Sequence, residues 1–420
     1  MPHDPPAERT HSGLALHLLY PLHPKLPLLG RVPRAARRGA RRTLTELAVR
    51  AHLSRCRATT FVGVTGSSGK TTTKDLLAEM LAIAGPTVMT HHNDNGLYGV
   101  PASLLSVRPG DRFAVIELGI RDQPGEMEWM AALFRPRVAV LTGVGDDHLH
   151  NFGSREAIAR EKRALLARLG PHGTAVVRSD DPLARRAAAG LPCRVVLAGG
   201  GRDADVRLVS SRLRWPQGTD VELDVAGERF ATSVALHGEH LAPLVALAVA
   251  GALACGVSAS DALSGASRFA ARPGRLCPVR GPDGSMFLLD DFESRIAGAV
   301  AAVRALRAIP ARRRIAVLGE VQECAQVASS YRPLAEALGE GVDLILAVGS
   351  SGGPLGELLA GTQLADRLIC APDASSAGAH LAGDLGRGDV VLVHGPVDQE
   401  LGRIVDYVAG AGLRRAGAPA

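Results

Sequence analysis

The stretch Gly63-Val64-Thr65-Gly66-Ser67-Ser68-Gly69-Lys70-Thr71-Thr72-Thr73 constrains this chain more than any other. Residues 60–65 form a short apolar, β-branched run that predicts a buried strand, and residues 71–84 carry a helical pattern. A strand that enters a glycine loop, followed by a helix that leaves it, makes a phosphate cradle. Loop N–H groups and the positive helix end both face the anion. In this pattern Gly66, Ser67, Ser68 and Gly69 form the cradle and Thr72 follows in the first turn. Lys70 reaches the β- and γ-phosphates, and the Thr71 hydroxyl holds Mg²⁺. The strict pattern has glycine at position 64, where this chain has Val64.

Residue usage points to the same region. Of 48 basic Lys and Arg residues only four are Lys, at positions 25, 70, 74 and 162. Asn occurs only three times, at 93, 95 and 151. A chain this poor in Lys and Asn keeps them chiefly where chemistry needs them. Lys is a compact charge that can lose its proton, and Arg is neither. Lys70, Lys162 and the Asn93/Asn95 pair are therefore candidate functional positions.

With 420 residues, 46% apolar and 21% charged, the chain is globular and has room for two or three domains. No apolar run reaches the roughly 18 residues of a membrane span. Residues 14–29 are interrupted by Pro21, Pro24 and Pro27 and lack the basic start and cleavage site of a signal peptide. Six scattered Cys without a CxxC pair predict reduced thiols in a cytoplasm. Residues 1–57 hold eleven basic and three acidic residues. With aromatics at 3%, this segment is expected to be a solvated or domain-docking arm, with a helix over 43–55, rather than a nucleic-acid surface.

From residue 58 strand and helix patterns alternate. Strands are predicted at 113–118, 138–141, 174–177 and 194–197, with helices at 126–133 and 155–169. Residues 205–236 predict an antiparallel patch, and 239–255 a helix. A boundary falls at Arg272-Pro273-Gly274-Arg275. Beyond it, strands at 286–289, 314–318, 344–348 and 390–393 predict a second α/β unit. The fold class is α/β: a P-loop NTPase-like central domain with a mainly parallel sheet, plus a smaller Rossmann-like C-terminal α/β domain.

Two further positions carry chemistry. Glu117 stands near the carboxyl end of an apolar strand, where α/β folds bind ligands, and offers oxygen to Mg²⁺. His148 follows two Asp after another strand and suits a metal or a phosphate. Ser154 is a helix cap ahead of Lys162. The pair His91-His92 is expected in a solvated loop.

In combination these segments resemble the Mur ligases, ATP-dependent amide-forming enzymes of peptidoglycan synthesis, most closely their D-alanyl-D-alanine-adding branch. The resemblance rests on 65–72, Asn93-Asp94-Asn95-Gly96-Leu97-Tyr98-Gly99-Val100-Pro101, Glu117-Leu118-Gly119, His148-Leu149, Phe152-Gly153-Ser154, Lys162, Gly238-Glu239-His240, Pro273-Gly274-Arg275, Asp290-Asp291 and Ala316-Val317-Leu318-Gly319-Glu320. It implies a basic arm (1–57), a central ATPase domain (58–271) and a C-terminal domain (272–420). It also implies ATP and Mg²⁺ as cofactors. Lys70 would bind ATP phosphates, and Thr71 and Glu117 would hold one Mg²⁺. His148 and a carbamylated Lys162 would hold a second. Arg275 and Asp291 would reach ATP, and Asn93 and Asn95 would face substrate. In the family reaction a carboxylate attacks the γ-phosphate to give an acyl phosphate, which an amine then resolves.

The departures shape the expected substrate. Only 57 residues precede the core, fewer than the family's UDP-binding domain needs. Gly143, Leu241 and Leu244 stand where the family has Asn or its neighbourhood. The segments 292–297 and 394–397 depart from the family's Ser-Tyr-Asn-Ala-Asn-Pro and Lys-Gly-Ser-Arg-like stretches. The expectation is a cytoplasmic ligase joining a small or carrier-borne carboxylate to an amine or amino acid in specialised-metabolite biosynthesis. A cell-wall ligase aided by a partner domain and a non-catalytic nucleotide-binding paralogue are the alternatives. Neither nucleic acid nor membrane is expected as a partner, and monomer or homo-oligomer stays open.

Overall fold

The computed structural model describes residues 7–8, 34–121, 123–322, 327–339 and 341–416. The chain divides into two compact units. The first draws on Met1–Ser210, Val221–Ser233 and Ala242–Phe269; the second on Ser211–Asp220, Val234–Leu241 and Ala270–Ala420.

The first sheet contains β1 (Ala7–Glu8), β2 (Thr60–Thr65), β3 (Thr87–Met89), β4 (Phe113–Glu117), β5 (Val138–Leu141), β6 (Thr174–Arg178), β7 (Arg194–Gly199), β8 (Val206–Arg214), β9 (Gly218–Val225) and β10 (Glu228–Val234). Their order is β1-β3-β4-β2-β5-β6-β7-β8-β9-β10, and every pair from β1 to β8 is parallel. Strands β4 and β5 are buried along their whole length, as parallel strands covered on both faces must be. Strand β2 lies between β4 and β5, with Val64 opposite Glu117 and Thr65 opposite Leu141. That register brings the loops after β2, β4 and β5 together at the carboxyl edge of the sheet. Loops of three and two residues join β8 to β9 and β9 to β10. Only antiparallel neighbours permit connections that short, so the expected patch at 205–236 is present.

The helix Lys70–Ala82 buries eleven of its thirteen residues. It packs on the helices Ala242–Ala254 and Ala259–Ala266. Two helices differ from expectation. The arm helix runs over Arg34–Leu53 instead of starting at 43, because the run at 34–42 is, apart from Gly39, made of the strong helix formers Ala and Arg. It packs on the helix Gly99–Ser106 and buries Val49 completely. The expected helix 239–255 is split into a 3₁₀ turn, Glu239–Leu241, and the helix Ala242–Ala254. Pro243 stands at the join and lacks the N–H that a continuous helix would use.

In the second unit β11 (Cys277–Arg280), β12 (Met286–Asp290), β13 (Arg313–Leu318), β14 (Leu344–Val348), β15 (Leu368–Ala371) and β16 (Asp389–His394) form a sheet ordered β11-β12-β16-β13-β14-β15. All neighbours are parallel except the edge strand β11. Alternate residues feed two cores. Leu288, Ala316, Ile345 and Leu392 enter one, and Phe287, Ile315, Leu346 and Val391 the other. Helices on both faces complete the α/β layering expected here. Strands β3, β11 and β15, of three or four residues each, were not expected from the sequence.

Candidate active site

The phosphate-loop pattern has the strand–loop–helix geometry it requires. Gly69 adopts left-handed backbone (φ 74°) at the start of the helix Lys70–Ala82, and no side chain caps that helix. Its first-turn N–H groups therefore face the loop. The loop is held from the segment after β5. Thr142 Oγ1 donates to the Ser68 carbonyl at 2.6 Å, and Ser67 N–H donates to the Gly143 carbonyl at 3.0 Å. Gly145 N–H donates to Ser67 Oγ at 2.9 Å. A Cβ on Gly66 would collide with Thr142 Oγ1, so the cradle there has no room for a side chain. Lys70 turns back onto its own loop and donates to the Ser67 carbonyl at 3.0 Å. Thr71 and Thr72 are buried in the first turn.

Glu117 ends β4 beside this loop and is completely buried. Asn95 Nδ2 donates to its Oε1 at 2.7 Å. Its Oε2 has no hydrogen-bond partner. A buried carboxylate oxygen without a donor is costly unless a cation or ligand completes it. Gly119 N–H donates to the Asn95 carbonyl at 2.8 Å, and a Cβ on Gly119 would come within 2.5 Å of Asn95 Oδ1. Glycine at 119 thus lets Asn95 close on the carboxylate. Asn93 offers its carbonyl to Asn95 N–H at 2.7 Å. Among the described residues no group of three or more His, Cys, Asp or Glu converges as a metal cage. Mg²⁺ does not need one, because it keeps waters and takes one or two carboxylates plus substrate phosphates.

Lys162 lies in the helix Arg155–Leu166, which Ser154 caps through its hydroxyl. Its side chain is buried, and Nζ donates to the Gly66 carbonyl at 2.8 Å. Burial, reinforced by the Lys70 charge, pushes its pKa down to about 7. The neighbouring Glu161 does not sit on a solvated face beside it. Its carboxylate accepts from Gly125 N–H at 3.0 Å and Met127 N–H at 2.9 Å. His148 adopts left-handed backbone (φ 61°), and its Nε2 lies 3.4 Å from Asp147 Oδ2. His91 and His92 stack edge to face in the loop after β3, with centroids 4.0 Å apart.

Family profiles match most of this architecture. The Mur ligase middle domain matches residues 64–252, and the Mur ligase, glutamate ligase domain, matches residues 274–397. A Mycobacterium tuberculosis protein named UDP-N-acetylmuramoyl-tripeptide--D-alanyl-D-alanine ligase is 30% identical over 83% of this chain and 72% of its own length. The chain belongs to the Mur ligase family. The Escherichia coli protein of the same name is 29% identical over 69% of this chain, and the match spans 64% of that relative. A MurF crystal structure from Acinetobacter baumannii superposes with a TM-score of 0.79 at 25% identity, over 88% of this chain and 80% of that one.

Two expected nucleotide residues of this Mur ligase lie in the second unit. The Arg275 guanidinium stacks over the Phe292 ring at 4.8 Å. Asp291 Oδ2 accepts Gly402 N–H at 2.9 Å, and burial holds its pKa above the ordinary carboxylate value. On the same sheet edge Asp290 Oδ2 and His394 Nδ1 are 2.8 Å apart. The buried His394 Nε2 has no hydrogen-bond partner.

Sequence reasoning passed over three residues of the first unit. Thr142 clamps the phosphate loop, and its only sequence signal is its place after β5. Asp181 accepts Val144 N–H at 2.6 Å while capping the helix Pro182–Ala188. Lys74 is fully buried behind the phosphate loop. The scarcity of lysine marked it equally with Lys70 and Lys162.

Proposed function

We propose that this Mur ligase is an ATP-dependent amide-forming enzyme of the cell-wall kind. It would join the carboxylate of a UDP-N-acetylmuramoyl-tripeptide, or a close analogue, to D-alanyl-D-alanine or a related amine. The relatives' names favour this reading over specialised-metabolite biosynthesis. The chain spans 64% of the length of its Escherichia coli relative, so the substrate pair is carried by that likeness alone.

The observation that carries the chemistry is the buried, unpartnered Glu117 Oε2 beside an uncapped helix start and a glycine cradle. Those groups fit a nucleotide with its divalent cation. Thr71 and Glu117 would hold Mg²⁺, and His148 with Lys162 a second ion. The bound cation would neutralise charge on the transferring phosphoryl group. Gly66, Ser67, Ser68, Gly69 and Thr72 would hold the phosphates, and Lys70 would swing from the Ser67 carbonyl onto the γ-phosphate. Arg275 and Asp291 would also bind the nucleotide. On this reading residues 58–271 are the ATPase domain, 272–420 the C-terminal domain and 1–57 a docking arm.

The carboxylate substrate would take the phosphoryl group from ATP, leaving ADP. The amine would then attack the acyl carbon, forming the amide and releasing phosphate. With its pKa lowered to about 7, the neutral fraction of the Lys162 amine would add to CO₂ and lose a proton, giving a carbamate. That replaces a cation, repelled by Mg²⁺, with an oxygen ligand.

Phosphate release measured with the carboxylate, with and without the amine, tests the proposal. Turnover should need Mg²⁺ and both substrates, and Lys70→Ala should abolish it. Turnover with neither substrate pair nor analogue would favour the non-catalytic alternative.

A further inference from the structure

A lysine with no role in phosphate binding fixes the loop that holds Glu117. Lys74 is completely buried one helical turn beyond Lys70. Its Nζ donates to the carbonyls of Thr90 at 2.7 Å and His92 at 2.8 Å, and pairs with Asp75 Oδ1 at 2.9 Å. Two of the three ammonium protons go to those carbonyls, and the adjacent Asp75 carboxylate offsets the charge as an ion pair. The same loop grips Glu117 twice. Thr90 Oγ1 accepts Glu117 N–H at 3.0 Å, and Asn95 Nδ2 donates to Glu117 Oε1 at 2.7 Å. Thr90 N–H also donates to the Val115 carbonyl at 3.0 Å, tying the loop to β4.

We infer that Lys74 is a positioning residue for the Glu117 carboxylate. It ties residues 90–92 to the phosphate-loop helix, so that Asn95 occupies Oε1 and Oε2 stays free for a cation. The inference rests on the reading that Glu117 holds the divalent ion. A buried ammonium is expensive unless fully paired. A core position in a chain that otherwise uses Arg would be filled more cheaply by Leu or Met. A compact ammonium can donate to both carbonyls while lying against the Asp75 carboxylate, which a planar guanidinium on a longer stem does not match.

The test reads the Mg²⁺ dependence of ADP binding by calorimetry, together with the melting temperature. The variant Lys74→Met/Asp75→Asn removes both charges of the ion pair together. It should fold and bind ADP in EDTA as the unaltered protein does. The Mg²⁺ concentration that half-saturates the enhancement of ADP binding should rise about tenfold or more, as when a group supporting a metal ligand is lost. Asn95→Ala should give a similar rise, and the combination should add little further, since both act through one loop. If the paired variant does not fold, Lys74→Arg carries the same test, keeping the charge for Asp75 and altering the reach. An unchanged Mg²⁺ half-saturation, or fully additive effects, would overturn the inference. Glu117→Gln separates the two levels: if it too leaves Mg²⁺ dependence unchanged, the metal reading itself fails.

Discussion

Lys162 Nζ donates to the carbonyl of Gly66 at 2.8 Å, joining two residues 96 apart in sequence. The bond puts an amine whose pKa burial lowers to about 7 against the floor of the phosphate cradle.

The first prediction concerns that amine. Its folded pKa, about 7, lies below its ordinary value of 10.5. Between those pH values the unfolded chain binds the extra proton, so stability rises with pH across this window. Below pH 7 both states are protonated and the burial penalty is fully present. Lys162→Met should flatten the rise in melting temperature between pH 7 and 9.5. The carbamate needs the neutral amine, so a ¹³CO₂-derived carbonyl signal should grow as pH increases through 7. Lys162→Arg should be inactive, and an active Lys162→Arg enzyme would rule out the carbamate.

Gly66→Ala should fold yet lose nucleotide binding by roughly 100-fold or more, because the new methyl must displace the Thr142 hydroxyl from Ser68. Fluorescent ADP titration reads this. Gly110→Ala, which meets nothing within 4 Å, is the matched control and should bind normally.

Glu117→Gln keeps the acceptor for Asn95 and removes a buried charge. Loss of Mg²⁺-dependent ADP binding with an unchanged or raised melting temperature is the expected result. A lowered melting temperature with normal Mg²⁺ dependence would make Glu117 a structural residue only.

The arm helix Arg34–Leu53 is docked, and its packing predicts its worth. Arg42 lies over the Trp129 ring at 5.3 Å, Trp129 Nε1 donates to Glu46 at 2.8 Å, and Arg41 lies over the Tyr98 ring at 4.3 Å. Val49→Ala should cost roughly 2 kcal/mol by denaturant unfolding. Trp129→Phe should cost about 1 kcal/mol through the lost bond to Glu46.

The phosphate loop, the strand–helix alternation that makes a mainly parallel sheet and the unit beyond residue 270 were legible because each is a local pattern; the order of strands around β2 is set by non-local pairing and was not. The start of the arm helix was not, since 34–42 has helix propensity without an apolar stripe. Strands β3, β11 and β15 are too short to show alternation and form only because a neighbour offers its edge. Asn95 was visible as a rare residue, but its bond to Glu117 depends on two loops meeting and on Gly119 giving way. Lys74 shared the rarity signal of Lys70 and Lys162. Its three partners lie next to it or in a distant loop, which no spacing announces. The preference for small-molecule biosynthesis came from segments 292–297 and 394–397, and the relatives' names weigh against it.

The central claim is transfer of a phosphoryl group from ATP to a carboxylate at this loop. It is tested most directly with UDP-N-acetylmuramoyl-tripeptide carrying ¹⁸O at both oxygens of its reacting carboxylate, D-alanyl-D-alanine, ATP and Mg²⁺. The account predicts ADP and inorganic phosphate containing one ¹⁸O atom per amide formed. AMP with pyrophosphate, or phosphate free of ¹⁸O, would contradict it.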